Sequence, residues 1–378
     1  MSRRQNFFDT MNHKRPENVI IDFGGNPLST MEGRSQDFLL DFLGYQREPE
    51  PERLLFAQTR RVDERILKHF DTDTRSVGHI LMPKDSQFKM ISDTEYIDEW
   101  GIRRIFTGLY WDAVNTPLRG ATMEDLDNYQ FPNPDSIPEA ELAAIAKEAK
   151  YLYENTDYVI CAEHPTYGIF ELGCWLLGFD DFLCRLIEEP EFVEKLFEII
   201  TDYQKKIIKR YYGSIGKYIH YTSSGDDFAT QRAPFISPAM FREMIVPYYK
   251  ERIRYTKEFT NAYFLHHSCG SVYRLLDDII DMGTDILNPI QPKAADMEPD
   301  RLKREFGDRI VFHGGLDTQE VLPFLEESAI RETVEEVMDI MIQDGGYIFA
   351  AAHNIQEDVP PEKLTVMLET ARKAGRRK

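Results

Sequence analysis

Short apolar runs alternate with amphipathic stretches along most of the chain, and this alternation narrows the possible folds more than any other feature. Runs of buried-strand length fall at 19–23, 77–82, 158–162, 217–222, 262–267, 284–287, 309–313 and 346–351. Several are uninterrupted apolar segments, as a parallel sheet covered on both faces requires. Between them, 139–153, 191–212, 238–258, 272–281 and 330–343 carry apolar residues at three- and four-residue spacing, the pattern of a helix with one buried face. Ser237-Pro238 reads as an N-cap followed by proline in the first turn, and Gly283 and Gly345 stand where helix-ending glycines belong. From about 217 onward strand and helix alternate without a break, which predicts βαβ units, right-handed crossovers and a parallel sheet. The expected fold class is α/β: a single (β/α)8 TIM barrel over 61–378, preceded at 1–60 by an N-terminal extension, an arm and helices packing on the barrel. An open doubly wound sheet is the competing arrangement.

Charge and composition close off other classes. Against 45 Lys and Arg stand 65 Asp and Glu, a net charge of −20, which is the wrong sign for general nucleic-acid binding or for an anionic membrane surface. No apolar run is long enough to span a bilayer, and the opening residues lack the apolar centre of a signal peptide. Cys161, Cys174, Cys184 and Cys269 are too few for a disulfide scaffold in a chain of 378 residues. A cytoplasmic globular protein is expected. Neither GxGxxG nor GxxxxGKS/T follows a strand, so nucleotide-phosphate binding has no support.

In a (β/α)8 barrel the chemistry sits at the carboxyl ends of the strands. The polar residues there are Glu163 and His164, Asp226 and Asp227, His267 and Cys269, Asn288 and Gln291, His313 and Asp317, and His353 and Asn354. His267-x-Cys269 with His353 is the sharpest constellation. Residues two apart on an extended segment point to one side, so an imidazole and a thiolate can converge. A third ligand from another strand end would complete three positions of a tetrahedral zinc and leave the fourth for water or substrate. Alternation turns His266 away from His267, as a packed histidine. Asp226 and Asp227 admit a helix-capping or a functional role, and Asp317, beyond a Gly-Gly turn, admits an N-cap or a catalytic one. Cys161, Cys174 and Cys184 read as packing residues, Trp100 and Tyr110-Trp111 as core or pocket wall. The segment Asp22-Phe-Gly-Gly-Asn26 reads as a loop near the barrel mouth without an assigned role.

The block 267–271 (His-Ser-Cys-Gly-Ser), the run 285–291 (Asp-Ile-Leu-Asn-Pro-Ile-Gln), the stretch 306–317 and the segment from Gly345 through His353 to Gln356 resemble the uroporphyrinogen decarboxylase superfamily, in the branch that includes cobalamin-dependent methyltransferases. Weaker correspondences at 12–16, 98–101 and Asp226-Asp227 extend the resemblance over most of the chain. It implies one (β/α)8 barrel with its active site at the carboxyl face. In the methyltransferase branch it implies a zinc ion held by H-x-C and a later cysteine. His267 and Cys269 match; the later cysteine is absent, and His353 stands in what looks like its place. Histidine is a sound zinc ligand, and the exchange removes one negative charge, which leaves the metal a stronger Lewis acid. The decarboxylase itself fits less well, because its arginine-rich clamp corresponds to 24–34, which holds one arginine and one glutamate.

The expected activity is zinc-dependent methyl transfer between a separate corrinoid protein and a small-molecule donor or acceptor with an O-, N- or S-methyl group. Cobalamin would come only through that partner, and no corrinoid-binding domain is expected within the chain. His267, Cys269 and His353 are the metal ligands, one Zn2+ per chain. Glu163, Asp227 and His313 are the catalytic candidates, and His164, Asn288, Gln291 and Asn354 the substrate-binding ones. The rival readings are a metal-independent decarboxylase acting on a small aromatic or pyrrolic acid, and a barrel that binds without chemistry.

Overall fold

The computed structural model describes residues 1–47, 61–108 and 110–376. Eight strands run parallel in one sheet: β1 (Ile20–Ile21), β2 (Thr74–Val77), β3 (Val159–Glu163), β4 (Tyr221–Gly225), β5 (Tyr263–His267), β6 (Ile286–Ile290), β7 (Val311–Leu316) and β8 (Tyr347–Ala351). Their spatial order is β1-β8-β7-β6-β5-β4-β3-β2, so each strand from β3 onward lies beside its predecessor. The seam between β1 and β2 is closed by Asp73 and Asp22. Asp73 N–H donates to the Ile21 carbonyl at 3.1 Å, its carboxylate accepts from Ile21 N–H at 2.8 Å, and the Thr74 hydroxyl donates to Asp22 at 2.6 Å. The chain is thus the expected (β/α)8 barrel, nearly closed.

Alternate strand residues fill the barrel, as the two-residue period demands. Ile20, Val159, Cys161, Tyr221, Leu265, Ile286, Val311 and Ile348 form one buried layer inside it. The N-terminal helix Arg3–Met11 seals the amino end with Phe7 and Met11, which join the same layer. Ser2 caps this helix by accepting from Gln5 N–H at 3.2 Å. The other apolar cluster lies between the sheet and the surrounding helices. The N-terminal segment therefore supplies a barrel strand as well as helices, and the expected boundary at residue 60 lies outside the described residues. Among the described residues no helix is long and apolar enough to cross a membrane.

Several expected elements shift, for identifiable reasons. The run 77–82 yields only its first residue to β2, because Gly78 turns the chain at φ +77° under the Tyr211 ring. The run 217–222 begins instead as a 3-10 turn, Gly216–Tyr218, and β4 continues into Thr222, Ser223 and Ser224, which are buried though polar. β6 passes through Asn288-Pro289, and β7 through Gly314 and Gly315 at φ +108° and +104°, so the expected Gly-Gly turn is strand. The helix expected over 238–258 breaks at Ile245 into Pro238–Met244 and Val246–Lys257, since Pro247 cannot donate to a continuous helix. Ser237 caps the first of these from its hydroxyl, which accepts from Met240 N–H at 3.2 Å. Gly283 and Gly345 follow their helices at positive φ.

One element was not foreseen. Between β2 and β3 the chain forms a four-stranded antiparallel sheet, Lys89–Ser92, Glu95–Ile97, Arg103–Phe106 and Trp111–Asn115. Arg104, Trp111, Asp112 and Ala113 of this sheet reach the mouth of the barrel, where they wall a cavity.

Candidate functional site

The strand ends deliver the reactive side chains to one place. β5 ends at His267, and two residues later Cys269 is held by its own N–H, which donates to Asp227 Oδ1 at 2.7 Å. His353 follows β8 directly around the barrel mouth. One ligand atom each from His267, Cys269 and His353 lies within 4.8 Å of the others. His267 Nε2 is 3.4 Å from Cys269 Sγ. Two such donors on a tetrahedral zinc, at about 2.0–2.1 Å for nitrogen and about 2.3 Å for sulfur, would stand roughly 3.6 Å apart.

The surroundings suit a cation. Burial, then the neighbouring His267, lower His353 to about 4, so its imidazole is neutral at pH 7 and keeps a lone pair free to donate. Burial, then Asp227 and Glu171, push the Cys269 thiol well above its ordinary range. A thiolate there needs a positive partner, and a metal ion is the partner that this donor set fits. Gln291 steadies the sulfur from the far side. Its amide nitrogen donates to Cys269 Sγ at 3.4 Å, while its oxygen accepts from Gly270 N–H at 2.8 Å and from Gln231 at 2.7 Å.

Beneath the cluster runs a buried chain of side chains. β5 and β6 pair with Asn288 level with His267, and Asn288 Oδ1 lies 2.6 Å from His267 Nδ1. Asn288 Nδ2 is 2.6 Å from His313 Nδ1, and His313 Nε2 is 2.8 Å from Asp22 Oδ2. Burial alone would raise the Asp22 carboxyl, yet His313, Thr74 and Tyr221 hold it below its usual value.

Above the cluster lies a cavity of about 440 Å³, within the range of small-molecule sites. Its aromatic walls are Tyr110, Trp111, Tyr167 and Trp175, and its acids are Asp112, Glu163, Glu171 and Asp227. Burial, offset only in part by His79 and Arg61, raises Glu163 to about 7. Burial and the nearby Asp227 and Asp226 carboxylates raise Glu171 well above its usual range. A second cavity of about 350 Å³ opens beside Cys269, lined by Gln231, Gln291 and Asp358, and the two share Tyr110, His353 and Asn354. Tyr110 bridges this partition by accepting from Gln356 at 2.6 Å.

The expected residues sort accordingly. His267, Cys269 and His353 come together; Glu163, Asp227, His164 and Asn354 line the larger cavity; Gln291 touches Cys269. His313 and Asn288, expected to be catalytic and substrate-binding, are fully buried below the cluster and line neither cavity. His266 packs flat against Phe228, 5.0 Å between ring centres, away from the site. Asp226 is a structural acceptor: its carboxylate takes Phe170 N–H at 2.8 Å and Glu171 N–H at 2.7 Å at the start of the helix Ile169–Leu177. Asp317 caps in the same way, accepting from Glu320 and Val321 N–H at 2.6 and 2.9 Å. Cys161 and Cys174 are buried packing residues, but Cys184 is exposed, contrary to the packing role read for it. Trp100 is core, and Tyr110 and Trp111 are pocket wall. Glu171, Arg104 and Asp22 were not anticipated. Glu171 and Arg104 sit inside elements where polar residues normally face water. Asp22 did carry a signal, a carboxylate directly after an apolar strand.

The approach of Gly168 to Asp226 yields a stability test. A Cβ at residue 168 would stand 2.2 Å from the Asp226 carboxyl carbon, with its backbone otherwise ordinary at φ −72°. Gly168→Ala is expected to lower stability by about 1–3 kcal/mol in urea unfolding through overpacking alone. An unchanged midpoint would show that the Asp226 cap is looser than described.

Comparison with known proteins agrees with the fold. A sequence profile described as "Uroporphyrinogen decarboxylase (URO-D)" matches residues 113–374. Among solved structures, a methyltransferase from Methanosarcina mazei superposes with a TM-score of 0.68 at 15% identity, covering 99% of both chains. Xylanase 10B from Thermotoga maritima aligns at a TM-score of 0.40 and 13% identity over 64% of this chain and 82% of its own, too weak to carry any inference. No curated protein sequence matches the chain.

Proposed function

We propose that this chain, which belongs to the uroporphyrinogen decarboxylase family, is a zinc-dependent methyltransferase exchanging a methyl group between a small-molecule heteroatom and a separate corrinoid protein. The observation that carries the reading is the convergence of His267, Cys269 and His353 within 4.8 Å at the carboxyl end of the barrel, where His267 and His353 line a cavity of about 440 Å³. The M. mazei protein supports the fold of this reading; the ligand cluster supports its chemistry.

Bound by these three donors, zinc would supply Lewis acidity toward the substrate heteroatom at its fourth position. Asp227 and Gln291 hold Cys269 from its backbone and its sulfur, so the donor set is rigid before any ligand enters. Trp111, Tyr167 and Trp175 give the cavity apolar walls that exclude water from the reacting methyl group. In the demethylating direction the methyl carbon passes to the corrinoid, and the electron pair of the broken bond stays on the heteroatom, which then takes a proton. Glu163 is the group suited to give it, since burial raises it to about 7 and leaves it about half protonated at neutral pH. The corrinoid protein would dock over the barrel mouth, beside Tyr110 and the second cavity.

Zinc-loaded protein mixed with a corrinoid protein and a panel of O-, N- and S-methyl compounds should change the cobalamin absorbance with turnover. No transfer with any pair, together with carbon dioxide release from an aromatic or pyrrolic acid, would replace this reading with the decarboxylase.

A further inference from the structure

We infer that Asp22, acting through His313 and Asn288, is a positioning residue that sets the tautomer of His267 and so turns its Nε2 lone pair toward Cys269 and His353. The inference deepens the zinc reading above and rests on it for its consequence, though the tautomer itself can be read without metal.

The polarity of the chain follows from its buried end. Asp22 has a completely buried carboxylate that receives Gly25 N–H at 2.9 Å, the Asn26 amide at 2.7 Å, and the hydroxyls of Thr74 at 2.6 Å and Tyr221 at 2.9 Å. Backbone and amide N–H groups are obligate donors, so Asp22 is an acceptor, and His313 Nε2, 2.8 Å away, must carry a proton and donate it. The Asn288 amide nitrogen donates to His313 Nδ1 at 2.6 Å, so that nitrogen is the acceptor. Asn288 Oδ1, now an acceptor, faces His267 Nδ1 at 2.6 Å and takes its proton. His267 Nε2 is left without a hydrogen, 3.4 Å from the Cys269 sulfur. With Asp22 as the acceptor at one end and the Asn288 amide nitrogen facing His313, each link runs in this one direction. Reversing the chain would place an N–H where a metal needs a lone pair. A ligating imidazole whose other nitrogen is held by an oriented acceptor is the usual way a protein fixes metal geometry, and loss of such a partner costs about 10–100-fold in affinity.

Asp22→Asn keeps the shape and removes the obligate acceptor, so the chain can reverse. Asn288→Asp restores an acceptor at His267 Nδ1 without help from residue 22, because the aspartate accepts from His267 and His313 alike. The double variant Asp22→Asn/Asn288→Asp moves the carboxylate along the chain and keeps the total charge. The test is nitrogen-15 NMR of the imidazoles in metal-free protein, with zinc affinity measured by chelator competition and folding checked by circular dichroism. Wild type should show His267 protonated at Nδ1. Asp22→Asn should shift it toward the Nε2–H form and weaken zinc by about 10–100-fold. The double variant should return the Nδ1–H tautomer and bring affinity back to within about threefold, a rescue that a merely structural loss would not allow. If the single variant does not fold, the double variant decides alone. A wild-type His267 protonated at Nε2, or a tautomer and affinity unmoved by Asp22→Asn, overturns the inference. A wild type with the Nδ1–H tautomer and no zinc affinity supports it and overturns the zinc reading instead.

Discussion

Cys269→Ala is expected to raise the zinc dissociation constant on the order of 10²–10³-fold and to reduce methyl transfer to background. Zinc held by four protein donors is worth about 10–16 kcal/mol, or roughly 2.5–4 kcal/mol per donor. That sum per donor corresponds to a factor of about 10²–10³ in affinity. Cys269 lies outside both apolar clusters and is only partly buried, so the variant should fold with a near-normal melting temperature. His353→Ala should behave similarly. Chelator competition measures the loss directly. A variant that keeps wild-type affinity would remove the sulfur from the ligand set.

Glu163→Gln is expected to slow demethylation by about 10²–10⁴-fold, the usual worth of a positioned general acid. Its signature is in the pH profile. Burial raises the carboxyl of Glu163 to about 7, so the proton it donates is present below that pH and lost above it. In wild type the demethylation rate should be level below about pH 6 and fall roughly tenfold per unit above about pH 7. Glutamine cannot titrate, so this limb should vanish in the variant, leaving a low, flat rate. A limb that survives the substitution would assign the proton to another group. Glu171, which lines the same cavity and is also raised by burial, would then be the candidate.

The barrel was legible because its signal is redundant. β5, for instance, is a short apolar run bounded by helical patterns, and so are β7 and β8, and one fold reconciles them all. Strand ends were less legible where function intrudes. Thr222, Ser223 and Ser224 are polar residues in a buried strand, so a reading by apolar runs places β4 several residues early. The convergence of His267, Cys269 and His353 was accessible because their chemistry is distinctive and their positions follow from strand alternation. His313 and Asn288 show the limit. A histidine and an asparagine at strand ends look alike whether they face substrate or the barrel interior, and only a partner far away in sequence tells them apart. Here that partner is Asp22, 291 residues from His313. The antiparallel sheet over the mouth was missed because its strands are three to five residues long, and Lys89–Ser92 is exposed throughout, so no face alternates clearly. It nonetheless brings Trp111 and Arg104 to the cavity.

On the proposed reading, His267, Cys269 and His353 form one zinc site in each chain. The most direct measurement is metal content of the wild-type protein by mass spectrometry after purification without chelator and reloading with zinc, joined to X-ray absorption at the zinc edge. About one zinc per chain is expected, with one sulfur at about 2.3 Å and two imidazole nitrogens at about 2.0–2.1 Å around it. A folded wild-type protein that takes up no zinc, or one whose zinc has no sulfur neighbour, would contradict this reading.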